Sequence, residues 1–318
     1  MNEALRSAGM RAVRQCKARS WPDVAAFSAA LAAAAGARDD RWAPLVIKPL
    51  RGCASGDVFL CATEVEARNA LDTIVGSPLY ATPGAVNREA LVQDFLEGVE
   101  YVVDTVSCKG AHKAMAVWRY DKRPANGAPF VYHATELRAA SGREEGAVVA
   151  YAMQALDALG VRIGTAHIEV MLTRDGPRLI EYNGRWHLTD FRELCNDCVG
   201  YNAIDATVDA YLDHEAFDAL PPAPLKLAAA GRVVHLVCHT AGTVAAVRHG
   251  AAIRALRSFR AMDVYGAFGV GQRVSPTIDI RSDAGWVHLS HADAHVVEED
   301  YRALVALMPT MFEVEVDA

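Results

Sequence analysis

The stretch HIEVMLTRDGPRLIEYNGRW, residues 167–186, places short apolar runs on either side of the turn-forming sequence Arg-Asp-Gly-Pro. This pattern predicts a β-hairpin. Side chains on a strand repeat every two residues, so Glu181, Asn183 and Arg185 are expected to share one face. Glu169 on the first strand adds a further carboxylate. The hairpin is therefore expected to carry two carboxylates, an amide and a guanidinium on its polar surface.

These side chains suit a divalent cation. Carboxylate and carbonyl oxygens are the ligands that Mg²⁺ prefers, and the ion completes its shell with water and substrate phosphates. Glu169, Glu181 and Asn183 are therefore a candidate Mg²⁺ site, and Arg185 is placed to stabilise an anion beside it. On these residues alone, a solvated strand face carrying salt bridges stays open as the alternative.

Composition restricts the class of protein. The chain has 318 residues, 52% hydrophobic and 22% charged, which is enough for two or three subdomains with cores of their own. A net charge of −7 without a basic tract argues against nucleic acid or an anionic membrane as partner. No signal peptide or membrane span is recognisable, and the seven cysteines show no framework spacing, so a cytoplasmic location with reduced thiols is expected. Cys195 and Cys198 form a CxxC, but ordinary thiols are favoured over a metal or redox site.

The order of elements predicts a mixed α+β class with antiparallel strands in the middle of the chain. The pattern over residues 1–36 predicts two helices. Thr63 followed by Glu66 is a capping box that begins a helix. The proline-rich stretch at 220–231 is the clearest boundary, and GRVVHLVCH and GTVAAVR after it predict hairpin strands. Between these landmarks, strands are expected at 45–49, 58–62, 90–95, 100–108, 113–121 and 130–136, and helices at 63–75, 143–159 and near 202–213.

Two further segments carry residues suited to a nucleotide. LVIKPLRGCASGDVFL ends an apolar strand with Lys48 and continues into a loop containing Gly52, Ser55 and Gly56. Glycines let backbone N–H groups approach phosphate oxygens, although the lysine precedes the glycines and the loop is not a Walker A motif. An ordinary turn is the alternative. LVQDFLEGVEYVVD predicts two strands around a short turn, and it offers backbone groups for an adenine edge and a carboxylate for ribose hydroxyls.

In this order, the three segments resemble the ATP-grasp superfamily of carboxylate–amine ligases. The family pattern is a strand-end lysine before a small-residue loop, a hinge strand with an acidic residue after the turn, and acidic strands ending in Glu-x-Asn. YVVDTVS, WRYDKRPANG and HIEVMLTRDGPRLIE look like the L-amino-acid ligase and carnosine-synthase-like branch. The loop reads Ser-Gly-Asp where relatives more often have Ser-Asp-Gly, and relatives carry an N-terminal Rossmann-like subdomain that is expected to be missing here.

The resemblance implies a fold and a domain order. The fold is the ATP-grasp fold, in which two α+β subdomains grip ATP, followed by a C-terminal α+β extension. The implied domains are a helical linker remnant at 1–40, a small ATP-grasp subdomain at 41–96, a large subdomain with the metal site at 97–219, and the extension at 220–318.

The resemblance also implies roles for individual residues. Arg185 would stabilise the acyl phosphate and the tetrahedral intermediate, and Glu181 would bridge two Mg²⁺ ions, with Mn²⁺ as a substitute. Lys122 and Arg123 match a further phosphate contact only loosely. The remaining implied contacts are Lys48, Gly52, Ser55 and Gly56 to phosphates, Gln93, Asp94 and Leu96 to adenine, Glu100 to ribose, and Glu169, Glu181 and Asn183 to metal.

The implied activity is ATP-dependent joining of an amino acid to an amine through an acyl phosphate, with ADP formed. A truncated nucleotide-binding pseudoenzyme or regulatory module, and more weakly a phosphotransferase, stay open as alternatives. His167 and His187 flank the metal face and suit a base or a substrate contact, although a structural role is more common for such histidines. ATP and small amino-acid or amine substrates are the expected partners. A homodimer is compatible with the sequence, which does not fix the oligomeric state.

Overall fold

The computed structural model describes residues 1–34, 42–52, 56–80, 82–187 and 191–315. Apart from an isolated parallel bridge between Ala12 and Leu179, every strand pairing within these ranges is antiparallel, which confirms the α+β class. The strands are β1 (Gln15–Ala18), β2 (Leu45–Pro49), β3 (Phe59–Cys61), β4 (Ala90–Asp94), β5 (Gly98–Cys108), β6 (Ala111–Ala125), β7 (Ala128–Arg138), β8 (Gly164–Thr173), β9 (Gly176–Asn183), β10 (Ala230–His235), β11 (Gly242–Val247), β12 (Phe259–Val264), β13 (Arg273–Val274), β14 (Gly285–His291) and β15 (Phe312–Glu315).

The helices fall at the expected places and at several others. Within the described ranges, none is long and apolar enough to cross a membrane. The helices are α1 (Asn2–Ser7), α2 (Trp21–Ala34), α3 (Glu64–Ile74), α4 (Arg143–Ala158), α5 (Arg192–Cys198), α6 (Ala203–Leu212), α7 (His214–Ala219), α8 (Gly250–Arg254) and α9 (Ala294–Leu307).

The chain forms two compact units. The small unit contains residues 13–97 together with 279–281. Its four-stranded sheet has the order β1-β4-β2-β3, and α2 and α3 contribute to its apolar core. The capping box of α3 is confirmed, since the Thr63 side chain accepts from the Glu66 amide and the Glu66 carboxylate accepts from the Thr63 amide.

The large unit contains residues 1–12, 98–278 and 282–318. Its main sheet has eight strands in the order β12-β14-β10-β7-β6-β5-β8-β9. Helix α4 packs on one face of this sheet over β5, β8 and β9, where Val103, Ile168 and Leu179 are fully buried. The opposite face of the same strands carries polar side chains, and it is the face that forms the candidate site.

Three expectations about the fold are corrected. Residues 1–36 were expected to contain only helices, yet Gln15–Ala18 is a strand paired with β4. Residues 220–318 do not separate from residues 98–219, because β10 pairs with β7 and the main sheet continues through β14 and β12. GRVVHLVCH and GTVAAVR do not form a hairpin, since β10 lies in the main sheet and β11 lies in a three-stranded sheet with β13 and β15.

Candidate active site

The hairpin of β8 and β9 aligns four polar side chains. Glu169 lies directly across from Glu181, and His167 lies directly across from Asn183. Directly paired residues of neighbouring strands project from the same face of a sheet. Glu181 and Asn183 therefore share a face, as the two-residue repeat predicts, and His167 and Glu169 share it with them.

A β-bulge at Ile180 decides which face these residues occupy. The register shifts between the Glu169–Glu181 pair and the Val170–Leu179 pair, so Ile180 is an extra residue in β9. Leu179 is fully buried in the core under α4. Strict alternation from Leu179 would turn Glu181 into that core, whereas the bulge reverses the alternation and turns it to the polar face.

The arrangement of oxygen donors fits a cation. Two carboxylates in directly opposed positions repel each other unless positive charge lies between or near them. The side-chain amide nitrogen of Asn183 is buried and donates to no hydrogen-bond acceptor among the described residues. An amide turned by 180° would place its carbonyl oxygen at that position, where a cation is a suitable partner. Glu169, Glu181 and Asn183 therefore match the donor set of a Mg²⁺ site.

Arg185 is placed differently from the expectation. Strand β9 ends at Asn183, and the amide of Arg185 donates to the carbonyl of Asn183 in a tight turn. The Arg185 side chain is exposed, and its Nη1 donates to the carbonyl of Trp186 at 2.9 Å. The two-residue repeat cannot be extended to Arg185, because that repeat holds only while the chain remains a strand.

A buried carboxylate next to the hairpin was not anticipated from the sequence. Asp104 on β5 is 5% exposed, and it accepts from the indole nitrogen of Trp118 at 2.7 Å. The Nδ1 atoms of His167 and His187 lie 2.9 and 3.0 Å from its two oxygens. The available signal was a single acidic residue in the otherwise apolar run YVVDTV, since a buried charge requires partners.

The cluster fixes the charge of its members. Burial would raise the pKa of Asp104, but His187 and His167 outweigh it and hold that pKa well below its usual range. Burial would lower the pKa of His167, yet hydrogen bonds to Asp104 and Glu169 raise it to about 9. Burial dominates for His187 and lowers its pKa to about 4. Near neutral pH, the cluster therefore contains one carboxylate, one imidazolium and one neutral imidazole.

Hydrogen bonds link this cluster to the carboxylate pair. Nε2 of His167 lies 3.3 Å from an oxygen of Glu169. The hydroxyl of Tyr120 lies 3.5 Å from Nε2 of His167 and 3.4 Å from Nε2 of His187. The ligand atoms of Asp104 and both histidines lie within 4.8 Å of one another, a spacing that a metal ion also uses. Because these atoms already bond to one another, the geometry favours a hydrogen-bonded network.

Glu100 and Lys122 form a second polar group on the same sheet. Nζ of Lys122 lies 2.7 and 2.8 Å from the two carboxylate oxygens of Glu100. The same nitrogen lies 4.9 Å from the ring centre of Tyr120 and 4.4 Å from that of Tyr132. Burial would lower the pKa of Lys122, but Glu100 raises it overall. Arg123 is not part of this group, because it pairs with Asp121 and donates to Tyr301.

The remaining candidate residues lie in the small unit. Lys48 is in β2 opposite Leu91, next to the loop that contains Gly52 and Gly56. Ser55 lies outside the described residues. Nε2 of Gln93 donates to the side-chain oxygen of Gln15 at 2.8 Å.

At the end of β4, the Asp94 carboxylate accepts from the backbone and side chain of Arg14, at 3.1 and 3.0 Å. Leu96 follows β4 and is half-buried. The missed strand β1 therefore engages the side chains of Gln93 and Asp94.

The CxxC cysteines are part of an apolar cluster. Cys195 and Cys198 lie on α5 and are buried with Trp118, Phe191 and Val233. Burial raises the pKa of both thiols, and Sγ of Cys198 lies 3.4 Å from the Ser290 hydroxyl. Neutral buried thiols pack as small apolar groups.

Comparison with known proteins finds a family model that matches part of the chain. A model of the ATP-grasp domain matches residues 42–190. Dapdiamide A synthase from Enterobacter agglomerans is 32% identical over 174 residues, which is 55% of this chain and 40% of that protein. The chain thus spans less than half the length of this curated relative.

Solved structures share the fold. An L-amino acid ligase from Bacillus licheniformis superposes with a TM-score of 0.76 at 17% identity, over 99% of this chain and 71% of that one. A carboxyaminoimidazole ribonucleotide synthase from Aspergillus clavatus, complexed with ATP, gives a TM-score of 0.67 at 14% identity, over 97% and 72% of the two chains. Residues 42–190 match the ATP-grasp domain, and the chain shares its fold with these solved structures.

Proposed function

We propose that this chain is the nucleotide-binding and catalytic part of an ATP-dependent carboxylate–amine ligase. The carboxylate of an amino acid attacks the γ-phosphorus of ATP, which forms an acyl phosphate and releases ADP. The neutral amine of a second substrate then attacks the acyl carbon, phosphate leaves, and an amide bond forms. The similarity to dapdiamide A synthase supports this reaction class.

One observation carries the proposal: Glu169 lies directly across from Glu181 on the face shared with Asn183, inside the ATP-grasp domain. These residues would hold Mg²⁺, two ions in the arrangement that we infer, with Mn²⁺ as a substitute. When bound there, Mg²⁺ would supply positive charge that offsets the charge of the phosphates.

The other residues bind and orient. In the small unit, we assign Lys48 and the glycine loop to the phosphates, through a point charge and backbone N–H groups. In the large unit, we assign Arg185 to the anionic intermediates, because its exposed guanidinium follows directly after the metal face. The remaining assignments are Gly52, Ser55 and Gly56 to the phosphates, Gln93, Asp94 and Leu96 to adenine, and Glu100, held by Lys122, to ribose.

The test is phosphate release from Mg–ATP in the presence of pooled amino acids. A ligase releases phosphate and ADP in equal amounts, and release depends on the amino acid added. Mass spectrometry of the mixture then identifies the amide product. ATP binding without amino-acid-dependent release in any pool would indicate instead a nucleotide-binding module without turnover.

A further inference from the structure

The segment Asp279–Arg281 belongs to the small unit, although residues 278 and 282 on either side belong to the large unit. It is the part of the small unit that comes from far along the chain. A three-residue segment that belongs to a different unit from its neighbours in the chain requires specific contacts with that unit. Arg281 makes those contacts next to the glycine loop.

Asp279 fixes the guanidinium of Arg281. One carboxylate oxygen of Asp279 accepts from Nε at 3.2 Å and from Nη2 at 3.0 Å, and the other accepts from the Arg281 amide at 3.0 Å. The Asp279 side chain is 12% exposed, whereas that of Arg281 is 41% exposed. A buried carboxylate that binds both the fork and the backbone restricts the arginine to few rotamers.

The guanidinium lies against the backbone of Gly56. A Cβ atom added at Gly56 would lie 2.3 to 2.6 Å from Nη2, Cζ and Nη1 of Arg281, closer than any van der Waals contact. The φ angle of Gly56 lies outside the left-handed region, so its backbone conformation does not require glycine. The close approach of Arg281 is therefore the reason that a glycine is suitable at this position.

Arg281 also lines a cavity with that loop. A cavity of ≈ 240 Å³ is bordered by Gly52 and Gly56, by Asp57, and by the side chains of Arg51 and Arg281. Its charged side chains are thus two arginines and one aspartate. Gly52 is exposed and Gly56 is buried. Glycine backbone beside guanidinium groups is an arrangement that binds phosphate oxygens.

We propose that Arg281 is a phosphate-binding residue of the nucleotide site, held against the glycine loop by Asp279. This inference rests on the proposed assignment of that loop to the phosphates of ATP. It adds a contact from the C-terminal part of the chain, beyond the residues 42–190 that match the ATP-grasp domain. The ligand class is a nucleoside triphosphate or diphosphate, recognised by its phosphate charge rather than by its base.

The test compares ATP, ADP and adenosine binding to Arg281→Ala and to the unchanged protein by calorimetry. Loss of a charge-assisted hydrogen bond is expected to weaken ATP binding about tenfold and to leave adenosine binding unchanged. Arg281→Lys keeps the positive charge but not the planar guanidinium with its several N–H donors. We expect it to weaken ATP binding less than Arg281→Ala does. Arg254→Ala, at an exposed arginine of α8, is the matched control and should change the affinity for neither ATP nor adenosine. Thermal melting without nucleotide verifies that each variant folds.

A second pair of variants tests the contact itself. Gly56→Ala is expected to displace the guanidinium and to weaken ATP binding. The loss of ATP affinity caused by Gly56→Ala should be much smaller in a protein that already carries Arg281→Ala. An equal loss of ATP affinity with Arg281 present and with Arg281→Ala would show that the contact between Gly56 and Arg281 does not affect binding. If the unchanged protein binds ATP tightly and Arg281→Ala leaves the ratio of the ATP and adenosine dissociation constants unaltered, this inference alone is overturned. Failure of the unchanged protein to bind ATP would overturn the proposed function, and this inference with it.

Discussion

Glu169 and Glu181 lie directly across from each other on β8 and β9, with both side chains on the face opposite α4. Two like charges in this relationship destabilise a hairpin when nothing compensates them. A nearby histidine compensates part of the charge, because Nε2 of His167 lies 3.3 Å from Glu169. A divalent cation would add positive charge between the two carboxylates, and this pairing is therefore the most direct place to test the metal assignment.

Glu181→Gln removes charge with little change in volume. We expect it to abolish Mg²⁺-dependent turnover and to remove the rise in melting temperature that Mg²⁺ causes, while the fold stays intact. Circular dichroism and thermal melting with and without Mg²⁺ measure both effects. Glu193→Gln, at an exposed glutamate of α5, is the matched control and should retain turnover and the Mg²⁺ response. Unchanged turnover in Glu181→Gln would show that the metal assignment is wrong.

Deletion of Ile180 tests the bulge. Because Ile180 is the extra residue, its removal leaves Val170 opposite Leu179 and Glu169 opposite the glutamate, in a regular ladder. We expect the shortened protein to fold and to keep its Mg²⁺ response. Deletion of Tyr182 instead would move Asn183 to the core face and should prevent folding or lower the melting temperature strongly. Equal damage from both deletions would contradict this account of the bulge.

The His167–Asp104 pair predicts a pH dependence of stability. The pKa of His167 is about 9 in the folded protein, above the value of about 6.5 for an unfolded chain. The folded state therefore binds more protons between these values, so its stabilisation is complete below about pH 6.5 and is lost as pH rises through 9. The loss is at most about 3 kcal/mol. His187, with a pKa of about 4, titrates outside this window.

Urea denaturation of the metal-free protein between pH 6.5 and 9.5 measures this effect. His167→Gln should flatten the decline, because it removes the titrating group. His295→Gln, at an exposed histidine of α9, should leave the decline unchanged. A stability that rises over this range in the unchanged protein would contradict the assigned sign.

The Glu100–Lys122 pair predicts a stability effect that depends on burial. The two side chains are 13% and 15% exposed, so Lys122→Met leaves a largely buried carboxylate without the cation that faces it. We expect a loss of about 3 to 5 kcal/mol in the free energy of unfolding. The double variant Glu100→Gln, Lys122→Met should recover part of it. Arg302→Met, which breaks an exposed pair on α9, should cost less than about 1 kcal/mol. Similar losses in the free energy of unfolding for Lys122→Met and Arg302→Met would rule out the buried-pair explanation.

Local patterns predicted much of the fold and part of the site. The capping box at Thr63 and the apolar run ending in Lys48 depend on residues close together in the chain, and both elements lie where they were expected. Strand β1 was missed because four residues carry too little periodicity to distinguish a strand from a helix. Its pairing with β4 is a long-range contact that local propensity does not encode.

The sequence by itself determined that a polar hairpin with Glu169, Glu181 and Asn183 lies in an antiparallel α+β protein, because alternation and turn chemistry are local properties. Tertiary structure alone decided that a bulge turns Glu181 away from the core and that Asp104 holds both histidines. It also decided that Arg281 lies against Gly56. The contacts of Asp104 and of Arg281 join residues far apart in the chain, and only packing and hydrogen bonding in the folded molecule bring such residues together.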